Sequence, residues 1–350
     1  MSRLTYGLAL VPVAAAVAWA VPGSAWVFVA SALAIVPLAG LMGRATESLA
    51  VSAGPGVGGF LNATFGNAAE LIIAIVAIRA GQLEVVKASI SGSIIGNLLL
   101  VLGLSMIFGG ARRSEQTFPA ASASTHTTML ALAVVGLYVP ALFVRSGSAT
   151  PLAIEELSLS VAGVLMAVYL AGLAFTFVTH RAIFAPTSTG EVEGHEAVPA
   201  WRAGSELLAY TALVVWMSEL LVGSIEGATH SLRMSPLFVG VVVVPLVGNA
   251  AEHASAVLMA MKDRMDVALD IAVGSSTQIA LFVAPLLVFV SLALGRPMDY
   301  LFDTVELVAI AASVMIAALI AQDAKSNWLE GVQLVATYVI LALAFWFVRA

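Results

Sequence analysis

Long apolar runs, separated by short clusters of Gly, Pro and charged residues, extend along the whole chain. A helix that crosses a bilayer needs ~20 mostly apolar residues. Eleven runs meet that requirement: 4–21, 24–42, 55–79, 84–108, 121–143, 153–178, 204–229, 235–261, 267–294, 302–321 and 328–348. The breaks between them, such as "VPGS", "GGARRSEQ", "VRSGSATP" and "LGRPMD", carry the turn-forming and charged residues expected of interhelical loops. The longest polar interval, 180–202, reads "HRAIFAPTSTGEVEGHEAVPAWR" and divides the chain as a solvated linker.

Composition turns this pattern into a fold class. Of 350 residues, 61% are hydrophobic and 10% charged, against about 25% charged in soluble domains. So few charges cannot clothe a soluble surface, and the chain is predicted to be an all-α polytopic membrane protein with the bilayer as its solvent. The absence of cysteine excludes disulfides, zinc–thiolate sites and thiol nucleophiles. The basic residues are single and scattered, which excludes a nucleic-acid footprint. The apolar start resembles a signal peptide, but equally apolar segments follow throughout, so it is read as the first spanning helix. Nine basic residues fall on the side of the N-terminus and six on the other, which predicts a cytoplasmic N-terminus and linker, in the cell (inner) membrane.

The word GNAAE occurs at Gly66–Glu70 and again at Gly248–Glu252, an offset of 248 − 66 = 182. The same offset superposes Glu84 on Asp266 and Gly92-Ser93 on Gly274-Ser275. Upstream, "ATESLAV" and "WMSELLVG" match more loosely. The chain therefore reads as a first helix over 1–22, a five-helix unit over 24–179, the linker, and a second unit over 203–350. A five-helix unit repeated in tandem re-enters the membrane from the opposite face, so the halves are expected to be inverted repeats. Transporters of that plan carry their sites at the repeat interface.

Each GNAAE word brings an acid into an apolar run, at a cost of at least ~2.5 kcal/mol for a charge at the bilayer centre. Asn67 and Glu70 share a helix face, as do Asn249 and Glu252. Gly66 and Gly248 permit a local break that frees backbone carbonyls. Two carboxylates with amide and carbonyl oxygens make a hard-oxygen site suited to a divalent cation, calcium before magnesium. The following helices add Ser89, Ser93 and Asn97, and Ser275, Ser276 and Gln278, as a polar cavity lining, with Asp270 and Gly274 on the same stripe as Gln278. The glycines Gly92, Gly96 and Gly274 serve either the cavity or close helix packing. Glu219 is placed near the middle of its helix, as an access or relay group. Glu47 and Glu226 are either interfacial or part of the same route. His253 either modulates proton coupling or bonds to a neighbouring helix.

The segments "GNAAELIIAIVAIRAGQLEVVKASISGSIIGNLLLVLG" and "GNAAEHASAVLMAMKDRMDVALDIAVGSSTQIALFVAPLLV" resemble the paired alpha-repeats of the calcium/proton exchanger family, within the calcium/cation antiporter superfamily. The resemblance implies one extra helix before an inverted five-plus-five core. It implies alternating occupation of Glu70 and Glu252 by calcium and protons, so that the chain is a secondary antiporter exporting cytosolic Ca2+, not an enzyme, with no cofactor. A sodium-coupled calcium exchanger is the alternative, although no extra acid stands beside Asn97 or Gln278. A calcium channel fits the duplicated halves less well, and the HExxH metal motif of an intramembrane enzyme is absent.

Overall fold

The computed structural model describes residues 3–53, 58, 61, 64–147, 149–180 and 199–348. Most of the predicted linker, 181–198, and part of the third predicted span lie outside the described residues. The described chain is α-helical apart from two strands of two residues each. In chain order the helices are α1 (Leu4–Ala20), α2 (Ala25–Ala53), α3 (Ala68–Arg79), α4 (Leu83–Gly110), α5 (Ala120–Arg145), α6 (Pro151–Thr179) and α7 (Ala200–Gly223). They continue as α8 (Ile225–Leu232), α9 (Pro236–Gly248), α10 (Ala250–Met261), α11 (Met265–Ala293), α12 (Thr304–Asp323) and α13 (Trp328–Phe347).

Eight of these are long and apolar enough to cross a membrane, and the pair α8–α9, bent by 117°, brings the number to nine. The eleven runs of the sequence therefore resolve differently in detail. α1 is a shorter apolar helix, and the eighth run is broken at Asn249. The second run, expected to stop at residue 42, continues to Ala53 as a helix of 29 residues. Hydropathy ends at Gly43 and Arg44, but α2 packs along α7, and that neighbour sustains the helix past the polar residues.

The seventh run, 204–229, is two helices. Ser224 leaves helical geometry at φ −110°, ψ 5°, and its hydroxyl donates to the carbonyls of Leu220 and Leu221 at 2.7 and 3.0 Å. It thereby satisfies carbonyls that the end of α7 leaves free. Glu219 consequently lies about one turn from the end of α7 and not near the middle of a helix, and Glu226 belongs to the separate helix α8.

One polar face gathers the ends of α4, α10 and α12. Arg113 pairs with Asp263 at 3.0 Å, and Gln116 donates to the Ala260 carbonyl at 3.1 Å. The strands β1 (Gln116–Thr117) and β2 (Lys325–Ser326) pair antiparallel there, beside a Lys325–Glu115 ion pair at 2.9 Å. α4 therefore ends on the face at which α11 begins. At the beginning of α4, buried Lys87 reaches Glu84 at 2.8 Å and Asp299 at 3.1 Å.

Glycines set how closely α4 meets its neighbours. Gly92 lies directly against the Val241 backbone of α9, so that a Cβ there would collide with the carbonyl. Gly103 and Gly331 make a similar mutual approach between α4 and α13, each facing the other's carbonyl oxygen. Such contacts replace the hydrophobic effect as the glue of helices in lipid. One turn beyond Gly92, Gly96 has open space where its Cβ would be.

This contrast generates a test. Gly92→Ala must push backbone from backbone and should cost about 1–3 kcal/mol, the usual range for overpacking. Gly96→Ala should be close to neutral. Thermal unfolding of the detergent-purified protein should register a lowered midpoint for the first variant alone; equal midpoints would contradict the described approach.

Candidate functional site

Both GNAAE words lie at helix breaks. Asn67 has φ −92°, ψ 24° and precedes α3; Asn249 has φ −96°, ψ 3° and precedes α10. Each break places its acid, Glu70 or Glu252, in the first turn of the helix that follows. The asparagines are fully buried, and the two glutamates are half-buried.

The asparagine side chains exchange partners between the halves of the chain. Ser275 of α11 donates to Asn67 Oδ1 at 2.9 Å. Asn249 Nδ2 donates to Ser93 Oγ of α4 at 3.2 Å. The offset 249 − 67 = 182 equals 275 − 93 = 182, so equivalent Asn–Ser pairs bridge the halves in both directions, the serine donating in one and the asparagine in the other. Asn67 Nδ2 also donates to Gln278 Oε1 at 2.7 Å, and Asn249 Nδ2 to the Pro245 carbonyl at 3.2 Å. π-helical turns occupy matching places in the two partner helices, Gly96–Val101 in α4 and Ile279–Val283 in α11. Such turns recur at functional sites because they redirect side chains within an otherwise regular helix.

The carboxylates enter this frame from both sides. Glu70 crosses toward the second motif: an added Cβ at Gly248 would stand 2.9 Å from Glu70 Cγ, and the carboxylate interacts with the Asn249 side chain and with the charge of Glu252. Glu252 interacts with Ser275. Three buried oxygens of the motifs have no hydrogen-bond partner among the described residues: Glu70 Oε1, Glu252 Oε2 and Asn249 Oδ1. An oxygen acceptor buried without a donor is costly, and two of these three belong to acids that repel one another. All three are hard ligands of the kind that calcium takes. No group of three His, Cys, Asp or Glu residues able to hold a metal occurs among the described residues. A cation here would complete its shell from amide, hydroxyl and carbonyl oxygens.

The other residues singled out in the sequence divide clearly. Ser93, Asn97, Ser275 and Gln278 belong to the network. His253 joins it from α10, with Nε2 lying 3.0 Å from Asn97 Oδ1. Ser89 and Ser276 stay outside it, because their hydroxyls bond back to the Val86 and Ala272 carbonyls of their own helices at 2.9 Å. Gly248 opens the space that Glu70 fills, and Gly66 lies in the turn before Asn67. Glu47, Glu219 and Glu226 are exposed and join none of these bonds.

Sequence reasoning did not single out His126 or Ser122 of α5, which face Asp270 and Gly274 of α11. A histidine within a predicted span was the available signal; its partner was not readable without knowing that α5 packs on α11.

Comparison with known proteins places the chain in a family. The Ca(2+)/H(+) antiporter of Synechocystis sp. is 47% identical over 97% of this chain and 96% of its own length. The Ca(2+)/H(+) antiporter ChaA of Bacillus subtilis is 44% identical over 92% of both chains. The solved structure of native YfkE superposes with a TM-score of 0.86 at 38% identity, covering 99% of this chain and all of that one. The family model described as sodium/calcium exchanger protein matches residues 23–178 and 206–347, and the chain belongs to that family.

Proposed function

We propose that this chain exchanges Ca2+ for H+ across its membrane by alternating access, with Glu70 and Glu252 as the groups that both ions occupy in turn. The observation that carries the reading is the set of three buried oxygens without partners among the described residues, Glu70 Oε1, Glu252 Oε2 and Asn249 Oδ1. Calcium satisfies all three at once. Protons on the two carboxylates neutralise the same charges by a different route. Either load lets the site pass through an apolar barrier. The empty, doubly charged site is too costly to reorient, which forbids leak and couples the two fluxes.

The inverted-repeat arrangement of two five-helix halves, with one helix ahead of them, is supported by the reciprocal Asn67–Ser275 and Asn249–Ser93 bonds. It is supported further by the opposed directions of α4 and α11 at the shared polar face. Calcium/proton exchange is the activity named for the relatives at 44% and 47% identity. The sodium-coupled alternative lacks the additional acids near Asn97 and Gln278 that several sodium ions would require. The excess of basic residues on the N-terminal side supports a cytoplasmic N-terminus, and with it export of Ca2+ from the cytosol across the cell membrane.

Three outcomes test the assignment in proteoliposomes, with radioactive calcium as the readout. Glu70→Gln and Glu252→Gln should each abolish uptake driven by a pH gradient; near-normal uptake by either variant overturns the site. Gly248→Ala, which drives a methyl group against Glu70 Cγ, should raise the calcium half-saturation about tenfold, or about 1.4 kcal/mol, while leaving the protein folded. Because a ligand carboxylate must lose its proton to bind metal, the half-saturation of the unaltered chain should rise as pH falls. A half-saturation independent of pH would exclude competition at a common site.

A further inference from the structure

The polar stripe of α11 does not end at the site. α5 and α11 both begin on the face that carries the Arg113–Asp263 pair and run inward side by side. At their outer end, Ser122 Oγ donates to Asp270 Oδ1 at 2.6 Å, and Asp270 is exposed. One turn further in along α5 stands His126, and one turn further in along α11 stands Gly274. The two meet: a Cβ added at Gly274 would lie 3.7 Å from His126 Cε1. His126 is half-buried, and its Nδ1 is wholly buried with no hydrogen-bond partner among the described residues. The next turn of α11 brings Gln278, which is bonded to Asn67, itself bonded to Ser275 beside Glu252.

We propose that Asp270, Ser122 and His126 form a proton-transfer station between this aqueous face and the Glu252 end of the site. The order of the groups is what a relay requires: an exposed carboxylate at the outer end, then an imidazole one turn deeper whose Nδ1 meets no partner among the described residues. The proton binds the Asp270 carboxylate, leaves it for the His126 lone pair to give an imidazolium, and leaves that for a site carboxylate. Asp270 and His126 return to their starting forms, so no net charge stays behind. Ser122 is a positioning residue, holding the carboxylate toward α5. Gly274 lies beside the imidazole, where an added Cβ would make an ordinary van der Waals contact.

The charged surroundings fit this role. The groups acting on Asp270 are His126 and, one turn earlier, Asp266; Asp270 is the group acting on His126. Arg264 holds Asp266 in a two-point pair at 3.1 and 3.2 Å, which leaves Asp270 as the carboxylate turned toward α5. On α10, the His253 ring is committed to Asn97, and Glu252 is the destination. α12 also packs on α5; at its outer end Asp323 accepts from the Lys325 amide, while Glu306 lies at its other end. No calcium ligand is assigned to the station, which separates it from the site described above.

The proposal rests on the exchanger reading, so the unaltered chain is assayed first; failure there strikes that reading and not the station. In proteoliposomes of the full chain, Asp270→Asn and His126→Gln should each slow pH-gradient-driven calcium uptake several-fold. Each should shift the pH profile of the rate, and leave the calcium half-saturation at fixed pH unchanged. Asp270→Glu should restore both rate and profile, which a merely structural loss would not allow. Ser122→Ala, the mildest change, should give a smaller shift in the same direction. An unshifted pH profile in both Asp270→Asn and His126→Gln overturns the proposal. So does a raised calcium half-saturation with an unshifted profile, which would make the cluster a capture point for the cation.

Discussion

Two mutually repelling carboxylates in a water-poor interior are the constraint from which the rest of this molecule follows. A site of that kind is tolerable only when something neutralises it, and Glu70 and Glu252 are each left with one buried oxygen that no donor among the described residues meets. The surrounding polar groups do not relieve that need; they fix the geometry in which it is felt. Asn67 and Asn249 each bond to a serine of the opposite half, so each motif is clamped to the helix that follows its counterpart. The clamp differs between the halves in one respect. The Asn67 amide oxygen is occupied by Ser275, whereas that of Asn249 meets no donor among the described residues and stands with the carboxylates.

Packing around the site follows from the solvent. Lipid gives helices no hydrophobic reason to associate, so close backbone approach does that work. Gly92 against Val241 and Gly103 against Gly331 hold α4 to a helix of the second half on either side. Strong ion pairs and the small β pairing are confined to the ends of helices, where water and headgroups can share the charges.

Much of the site was legible because its information is local. A repeated five-residue word, an offset of 182 and residue types at helical spacing identified Asn67, Glu70, Ser93, Asn249, Glu252, Ser275 and Gln278 without coordinates. What was not legible depends on tertiary neighbours. The end of α2 is set by α7 and not by the loss of hydropathy at Arg44. The end of α7 is set by a serine that turns back on its own carbonyls. Ser89 and Ser276 look identical in sequence to Ser93 and Ser275; only the faces they present distinguish a hydroxyl that bonds within its helix from one that reaches across. Asp270 was readable as part of a stripe, but its pairing with α5 depends on two helices that start together on one face.

The helix breaks at Asn67 and Asn249 carry an electrical consequence. Each starts a new helix almost directly at an acid, and a helix start behaves as roughly half a positive elementary charge. Each start favours negative charge on the acid in its first turn, although α9, ending at Gly248, brings the opposite partial charge to the Asn249 break. The protein backbone itself thus supplies a fixed counter-field that neither ion carries away. Whatever charge arrives at Glu70 or Glu252 is met by that same field, because it belongs to the backbone and not to the side chains.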